Sequence, residues 1–271
     1  MATPRRDTRG IVGAADFLSR VDFRRPDAAE PLRAHVEYYW LIDWDLPEPY
    51  VSHVVPHPAV HIVFQHFEGQ KPFVEVAGVQ HGLFAQKLEG RGRVCGIKFR
   101  PGSFRPFAPD RPVSAWTGRR VRSPEVFPDA DLAAVLDPAD ETARTAALDA
   151  FLLALEPRPD PQAELATALV ERARTDRGIR RVTELARTEG MSVRLLQRLF
   201  AGYVGVGPKW VILRYRIHEA LERAESARDK PDWAALAADL GYADQAHLVR
   251  DFTTTVGVPP TAYAAQGGGV G

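Results

Sequence analysis

The chain has almost no cysteine: Cys95 is alone among 271 residues. A single thiol excludes an intrachain disulfide framework and any multi-cysteine zinc site, and it fits a reducing compartment. Long apolar runs are missing too. No stretch approaches the roughly 18 apolar residues of a membrane span, and Met1–Gly10 lacks the apolar centre of a secretory signal. A soluble, cytoplasmic protein with no membrane partner is the expectation. Net charge is absent, with 35 Lys+Arg against 35 Asp+Glu, but a whole-chain sum conceals local fields. Proline is scarce only late in the chain. Of 22 prolines, 18 lie at or before Pro161, and only Pro208, Pro231, Pro259 and Pro260 follow. Because proline interrupts helices, the first part should be turn-rich and the second largely helical.

That asymmetry predicts four segments: a β-rich unit with closing helices at 1–156, a proline-rich linker at 157–161, a helical unit at 162–266, and a disordered glycine-rich tail at 267–271. β-branched and aromatic runs at Val36–Trp44, Val60–Phe67, Phe73–Val79 and Val94–Arg100 read as short strands of a sandwich or small barrel. Gly90-Arg91-Gly92-Arg93 reads as a hairpin turn with solvated arginines. Asp137-Pro138-Ala139-Asp140 reads as a helix start with proline at its first position, and Leu148, Phe151, Leu152 and Leu155 follow as one apolar stripe.

The last third of the chain repeats itself. Leu185-Ala186, Gly190, Ser192, Leu196, Arg198, Phe200, Gly205-Val206 and Pro208 recur as Leu236-Ala237, Gly241, Asp244, Leu248, Arg250, Phe252, Gly257-Val258 and Pro260, with one extra residue in the second turn. Each copy reads as a short helix, a turn and a longer helix. Gly190 and Gly241 can take a positive φ at the turn, while Ser192 and Asp244 cap the second helix. This is the helix-turn-helix pattern, whose second helix can enter the DNA major groove; an αα-hairpin that only packs on itself is the bland reading. Charge favours the first. Arg177 to Arg216 holds nine basic and two acidic residues, a net of +7, whereas 217–266 holds four basic and eight acidic, a net of −4. The first copy should supply most of the affinity. A connector helix from Pro208 to about Ala227, with Trp210, Leu213, Ile217, Ala220, Leu221 and Ala224 on its apolar face, spans about 30 Å. One DNA turn is about 34 Å, so a single chain can address two successive grooves.

From Val182 to Tyr263 the sequence resembles the DNA-binding domain of AraC/XylS-type transcription regulators. The resemblance is carried by Leu185-Ala186, Ser192-x-x-x-Leu196-Gln197-Arg198-Leu199-Phe200, Gly205-Val206-Gly207-Pro208, Arg216-x-x-x-Ala220, Leu236-Ala237-x-x-x-Gly241-Tyr242, Gln245-x-His247-Leu248-x-Arg250-x-Phe252 and Gly257-Val258-Pro259-Pro260-x-x-Tyr263. It implies base-facing residues Arg194, Gln197 and Arg198 in the first copy, and Asp244, Gln245, Val249 and Arg250 in the second. Arginine suits guanine O6/N7 and glutamine adenine N6/N7. Leu248-Val249 departs from the family's more usual aromatic and small polar pair. Less specifically, Pro31-Leu32…Tyr38-Tyr39-Trp40, Val55-Pro56-His57-Pro58, Val76-x-Gly78-x-Gln80 and Gly96–Gly102 resemble the sensor-like domains fused to such regulators. The implied architecture is α+β: a cupin-like β-barrel with flanking helices, then an all-α domain of two helix-turn-helix units joined by a long helix. The resemblance also implies activation beside RNA polymerase, and a first domain that binds a small effector, forms a homodimer, or both.

Other constellations compete with this. His53, His57 and His61 fall four apart and would share a face on an unbroken strand, which keeps a metal-dependent cupin-like enzyme as the alternative. Pro56 and Pro58 break that strand, so no metal or cofactor is assigned. Tyr38, Tyr39, Trp40, Trp44, Phe64, Phe67, Phe84 and Phe99 suit either an effector pocket or ordinary core. Cys95 has no activating base, and no nucleophile–base pair was found, so no catalytic residue is assigned. Double-stranded DNA is the principal expected partner.

Overall fold

Alternation of apolar side chains along the first half produces one antiparallel sheet. The computed structural model describes residues 8, 10–122, 126–127, 130–226 and 231–267. The strands are β1 (Ile11–Val12), β2 (Asp22–Arg24), β3 (Val36–Val54), β4 (His61–Phe67), β5 (Phe73–Ala77), β6 (Phe84–Phe99) and β7 (Arg120–Arg122), with helix α1 (Ala14–Arg20) between the first two. Their order is β1-β3-β6-β4-β5-β7, and β2 adds along β3. The period of two separates the faces. Tyr39, Leu41, Ile62, Phe64, Val76, Ile97 and Phe99 point into a core shared with α2 (Leu132–Leu136) and α3 (Glu141–Ala154). Trp44, Val63, Ala77 and Val94 point the other way, towards Phe17 and Phe23.

Two strands are much longer than their sequence signals. β3 continues past Trp44 through Pro47 and Pro49, and the ladder with β6 shifts register between Leu46 and Tyr50. That irregularity spares both prolines the donor role they cannot fill. β6 starts at Phe84, so Gly90–Arg93 is strand interior and not a hairpin turn. The reason lies across the ladder: Trp44 pairs with Gly92 and Trp40 with Gly96, and a side chain at either glycine would run into the indole. Glycine here makes room for an aromatic ring lying across the neighbouring strand. Arg93 is not solvated either. It donates from Nη1 to Pro138 O at 2.9 Å and pairs with Asp43, which also receives Arg24 and, at 2.8 Å, Arg144 of α3.

The closing helices differ slightly from the expected bounds. Asp137 ends α2, and Asp140, whose carboxylate accepts from Ala143 N at 2.9 Å, caps α3, so Pro138 precedes the helix. Leu148 and Leu152 are buried, with Phe151 and Leu155 packed beside them. Pro161 is not linker: it opens α4 (Pro161–Thr175) behind the Asp160 cap, the one helical position where its missing N–H costs nothing. Then come α5 (Val182–Thr188), α6 (Val193–Tyr203), α7 (Pro208–Ser226), α8 (Trp233–Asp239), α9 (Gln245–Val256) and α10 (Pro260–Gly267). The remainder of the expected tail lies outside the described residues.

The helices form two cores threaded by α7. Val211 and Ile212 join α4, α5 and α6; Ile217, Ala220, Leu221 and Ala224 join α8, α9 and α10. Each core also takes in a buried valine of the sheet domain, Val79 in the first and Val55 in the second, and Val12 and Leu83 pack against the second as well. The 19 residues of α7 rise about 28 Å.

Candidate nucleic-acid interface and adjoining cavity

Both turns adopt the geometry that their residues dictate. Gly190 (φ 62°) and Gly241 (φ 74°) occupy the left-handed region, which glycine enters without a Cβ penalty. Ser192 Oγ accepts from Leu195 N at 3.2 Å and Asp244 Oδ1 from His247 N at 2.8 Å, so each second helix starts on a side-chain cap. Leu196, Phe200, Leu248 and Phe252 are fully buried and fix the opposite faces outward. Arg194, Gln197 and Arg198 are exposed on α6, and among the described residues none has a hydrogen bond or ion pair. On α9, Gln245 and Arg250 are exposed and Val249 is half-buried. One oxygen of Asp244 is committed to the cap.

The charge count changes once side chains are placed. Arg214 is buried and donates to His81 O at 2.7 Å, its charged form disfavoured by burial to a pKa of about 10. Arg216 donates to Arg180 O at 2.8 Å, and Arg177 pairs with Glu219. These three cations hold the fold together. The outward field of the first copy therefore comes from Arg180, Arg181, Arg187, Arg194, Arg198 and Lys209, all exposed.

The sheet domain touches this apparatus at several points. Thr117 Oγ1 donates to Gly205 O at 2.7 Å just beyond α6. His218 of α7 donates from Nε2 to Pro56 O at 3.2 Å, and its ring stacks on His57 with centroids 3.9 Å apart. Behind His57 lies a cavity of about 190 Å³, somewhat larger than the roughly 150 Å³ apolar cavity that admits benzene. Trp40, Ile42, Trp44, Phe17, Phe23 and Phe84 are among its apolar lining; Lys98, Arg25, Arg120 and Gln65 supply polar groups. Of the eight aromatics singled out above, Tyr38, Trp40, Trp44 and Phe84 line this cavity. Tyr39, Phe64 and Phe99 belong to the core on the other face. Arg25, Tyr38, His57 and Lys98 also line the cleft between the domains, which Tyr215, His218 and Glu219 of α7 close.

The histidines do not converge. His53 is on β3, His57 is in the following loop and His61 is on β4, where Nδ1 accepts from Trp40 Nε1 at 3.2 Å. Among the described residues no group of three or more His, Cys, Asp or Glu side chains could hold a metal ion. Burial, reinforced by Lys98, Arg120 and Arg25, lowers the His61 pKa to about 3, and burial beside His218 holds His57 well below its ordinary value. Both are neutral in the native state near pH 7. Unfolded, they take up protons near pH 6.5, so stability is full above that value and falls as pH drops below it, for His61 by up to about 1.4 kcal/mol per unit towards pH 3, with His57 adding to the loss in the same direction. Urea midpoints at pH 7.5 and 5 should show the loss, and His61→Gln should reduce it. Cys95, its thiol pushed up by burial, donates to Val135 O at 3.7 Å and is a core residue.

A duplicated helix-turn-helix with outward basic and amide side chains defines a DNA-binding domain. Residues 185–266 match a helix-turn-helix domain family. Residues 24–122 match a domain of unknown function, DUF6597. No curated protein gives a significant match. Among solved structures the chain is similar to ToxT from Vibrio cholerae: one form is 11% identical over 84% of this chain and 97% of that one, with a TM-score of 0.43. ToxT with bound unsaturated fatty acid is 12% identical over 100% and 99%, with a TM-score of 0.44. Among the described residues no helix is long and apolar enough to cross a membrane.

Proposed function

We propose that the chain is a sequence-specific transcription regulator whose DNA placement responds to an occupant of the sheet-domain cavity. The observation that carries the first part is the pair of capped helices, α6 and α9, presenting exposed side chains from opposite ends of α7. In this reading Arg194 and Arg198 address guanine and Gln197 adenine in one groove. Gln245 and Arg250, with a methyl contact from Val249, read the next groove more weakly, and Asp244 serves chiefly as a cap. The second part rests on the wall that the cavity shares with the cleft facing α7. A ligand that presses on His57 presses on a ring stacked against His218, so it has a physical route to the helix that sets the spacing of the two readers. Cavity size limits such an effector to about one ring with a short substituent. Recruitment of RNA polymerase and pairing of two chains on a repeated motif belong to the same reading.

Selection of binding sites from a random duplex pool with the full chain tests it. Enrichment of one motif spanning about two successive major grooves is expected; no enrichment would make the helical repeat a packing module. Thermal-shift screening against small metabolites tests the effector, because a ligand that binds only the native state raises the melting temperature.

A further inference from the structure

We infer that the sheet domain itself contributes to the DNA contact, through the arginines of the loop that grips the end of α6. The segment from Arg100 to Arg122, which ends in β7, carries six arginines and one acid, Asp110, a net of +5 in a chain whose total is zero. Four of the six are engaged within the sheet domain: Arg100 donates to Arg33 O at 2.8 Å, Arg120 pairs with Glu75, Arg122 lies over the Phe73 ring, and Arg111 lies over the Trp116 ring, 5.0 Å from its centroid. Arg105, Arg111 and Arg119 have no carboxylate partner among the described residues, and Arg111 and Arg119 are exposed.

Their position is what gives the charge a use. A turn of 3₁₀ helix at Val113–Ala115 packs on α6, and a methyl group on Gly205 would sit 2.8 Å from Thr117 Oγ1 and 3.1 Å from Val113 Cγ1. Arg111 and Arg119 thus stand two residues to either side of the segment that touches the C-terminal end of α6. Arg105 reaches the helix directly. Its guanidinium lies over the Tyr203 ring, 4.7 Å from the centroid, and a methyl on Gly202 would come within 3.3 Å of Arg105 Nη1. Gly202 is one turn beyond Arg198, which is one turn beyond Arg194, so Arg105 places a cation beside the end of that row. A duplex whose major groove takes up α6 brings its flanking phosphates to the sides of the helix, where arginines without a carboxylate partner gain from counterion release whatever the sequence. The occupant is therefore the backbone of the duplex read by α6, a contact the isolated helical repeat would lack. This inference rests on the DNA-binding reading above.

The test uses the full chain with Arg111→Ala/Arg119→Ala, bound across a salt series to the duplex recovered by selection and to a scrambled duplex of equal length. Each lost phosphate contact should lower the slope of log affinity against log salt by about 0.9. A decrease of nearly 2 is expected, with a similar fold-loss on both duplexes and an unchanged selected motif. Arg111→Lys/Arg119→Lys should restore the slope. An unchanged slope in the alanine variant, with wild-type binding intact, overturns the loop contact while leaving the DNA-binding reading in place. A wild-type chain that retains neither duplex overturns both.

Discussion

Arg198→Ala is expected to lower affinity for the selected duplex by about 1–3 kcal/mol, roughly five- to a hundred-and-fiftyfold, and to relax preference at one base pair. The expectation follows from an exposed guanidinium in the middle of α6 with no internal partner, so its removal costs the fold little and the interface much. Gln245→Ala on α9 should cost clearly less, because the second copy sits in the acidic part of the chain. Titration of both full-length variants against the same duplex decides the matter; equal losses would contradict an asymmetric reader.

The largest effect on stability is expected at Asp43. Its carboxylate receives Arg24, Arg93 and Arg144, and the Arg144 side chain is only 1% exposed. Asp43→Ala leaves that guanidinium buried beside a lost countercharge, which costs about 3–5 kcal/mol when one partner of a buried pair is removed. Breaking the exposed Lys87–Glu89 pair with Glu89→Ala should cost under about 1 kcal/mol. Urea unfolding of the two variants measures the contrast. If they match, the Asp43 cluster is not a fixed part of the native state.

The helical half was legible because its signals are short-range. Glycine at a turn, a capping residue two or three positions later and an apolar pair at i,i+4 specify each reading helix within about a dozen residues. The sheet half was legible only where alternation is unbroken. Pro47 and Pro49 hid the continuation of β3, and Gly90 and Gly92 imitated a turn, because what fills the gaps comes from distant residues: the Glu68 carboxylate at Gly90 and the Trp44 indole at Gly92. The cavity was hidden for a different reason: both faces of the sheet are apolar, and alternation cannot distinguish a face that packs solid from one that leaves room. Nor does a sequence reveal which arginines a fold consumes. Arg194 and Arg214 contribute alike to a charge count, yet one faces outward and the other is buried against His81.

The valines that cross between domains bear on how this architecture can be rearranged. Val79 completes the core around α6, and Val55 completes the core around α9. Neither helical unit closes its interior with its own residues alone. A chimera joining this DNA reader to a foreign sensor would open a gap in each core unless the graft also carried the footprint made by Val12, Val55, Val79, Leu83 and Thr117. The boundary at the proline-rich segment is a join in the sequence, while the functional join runs along α7.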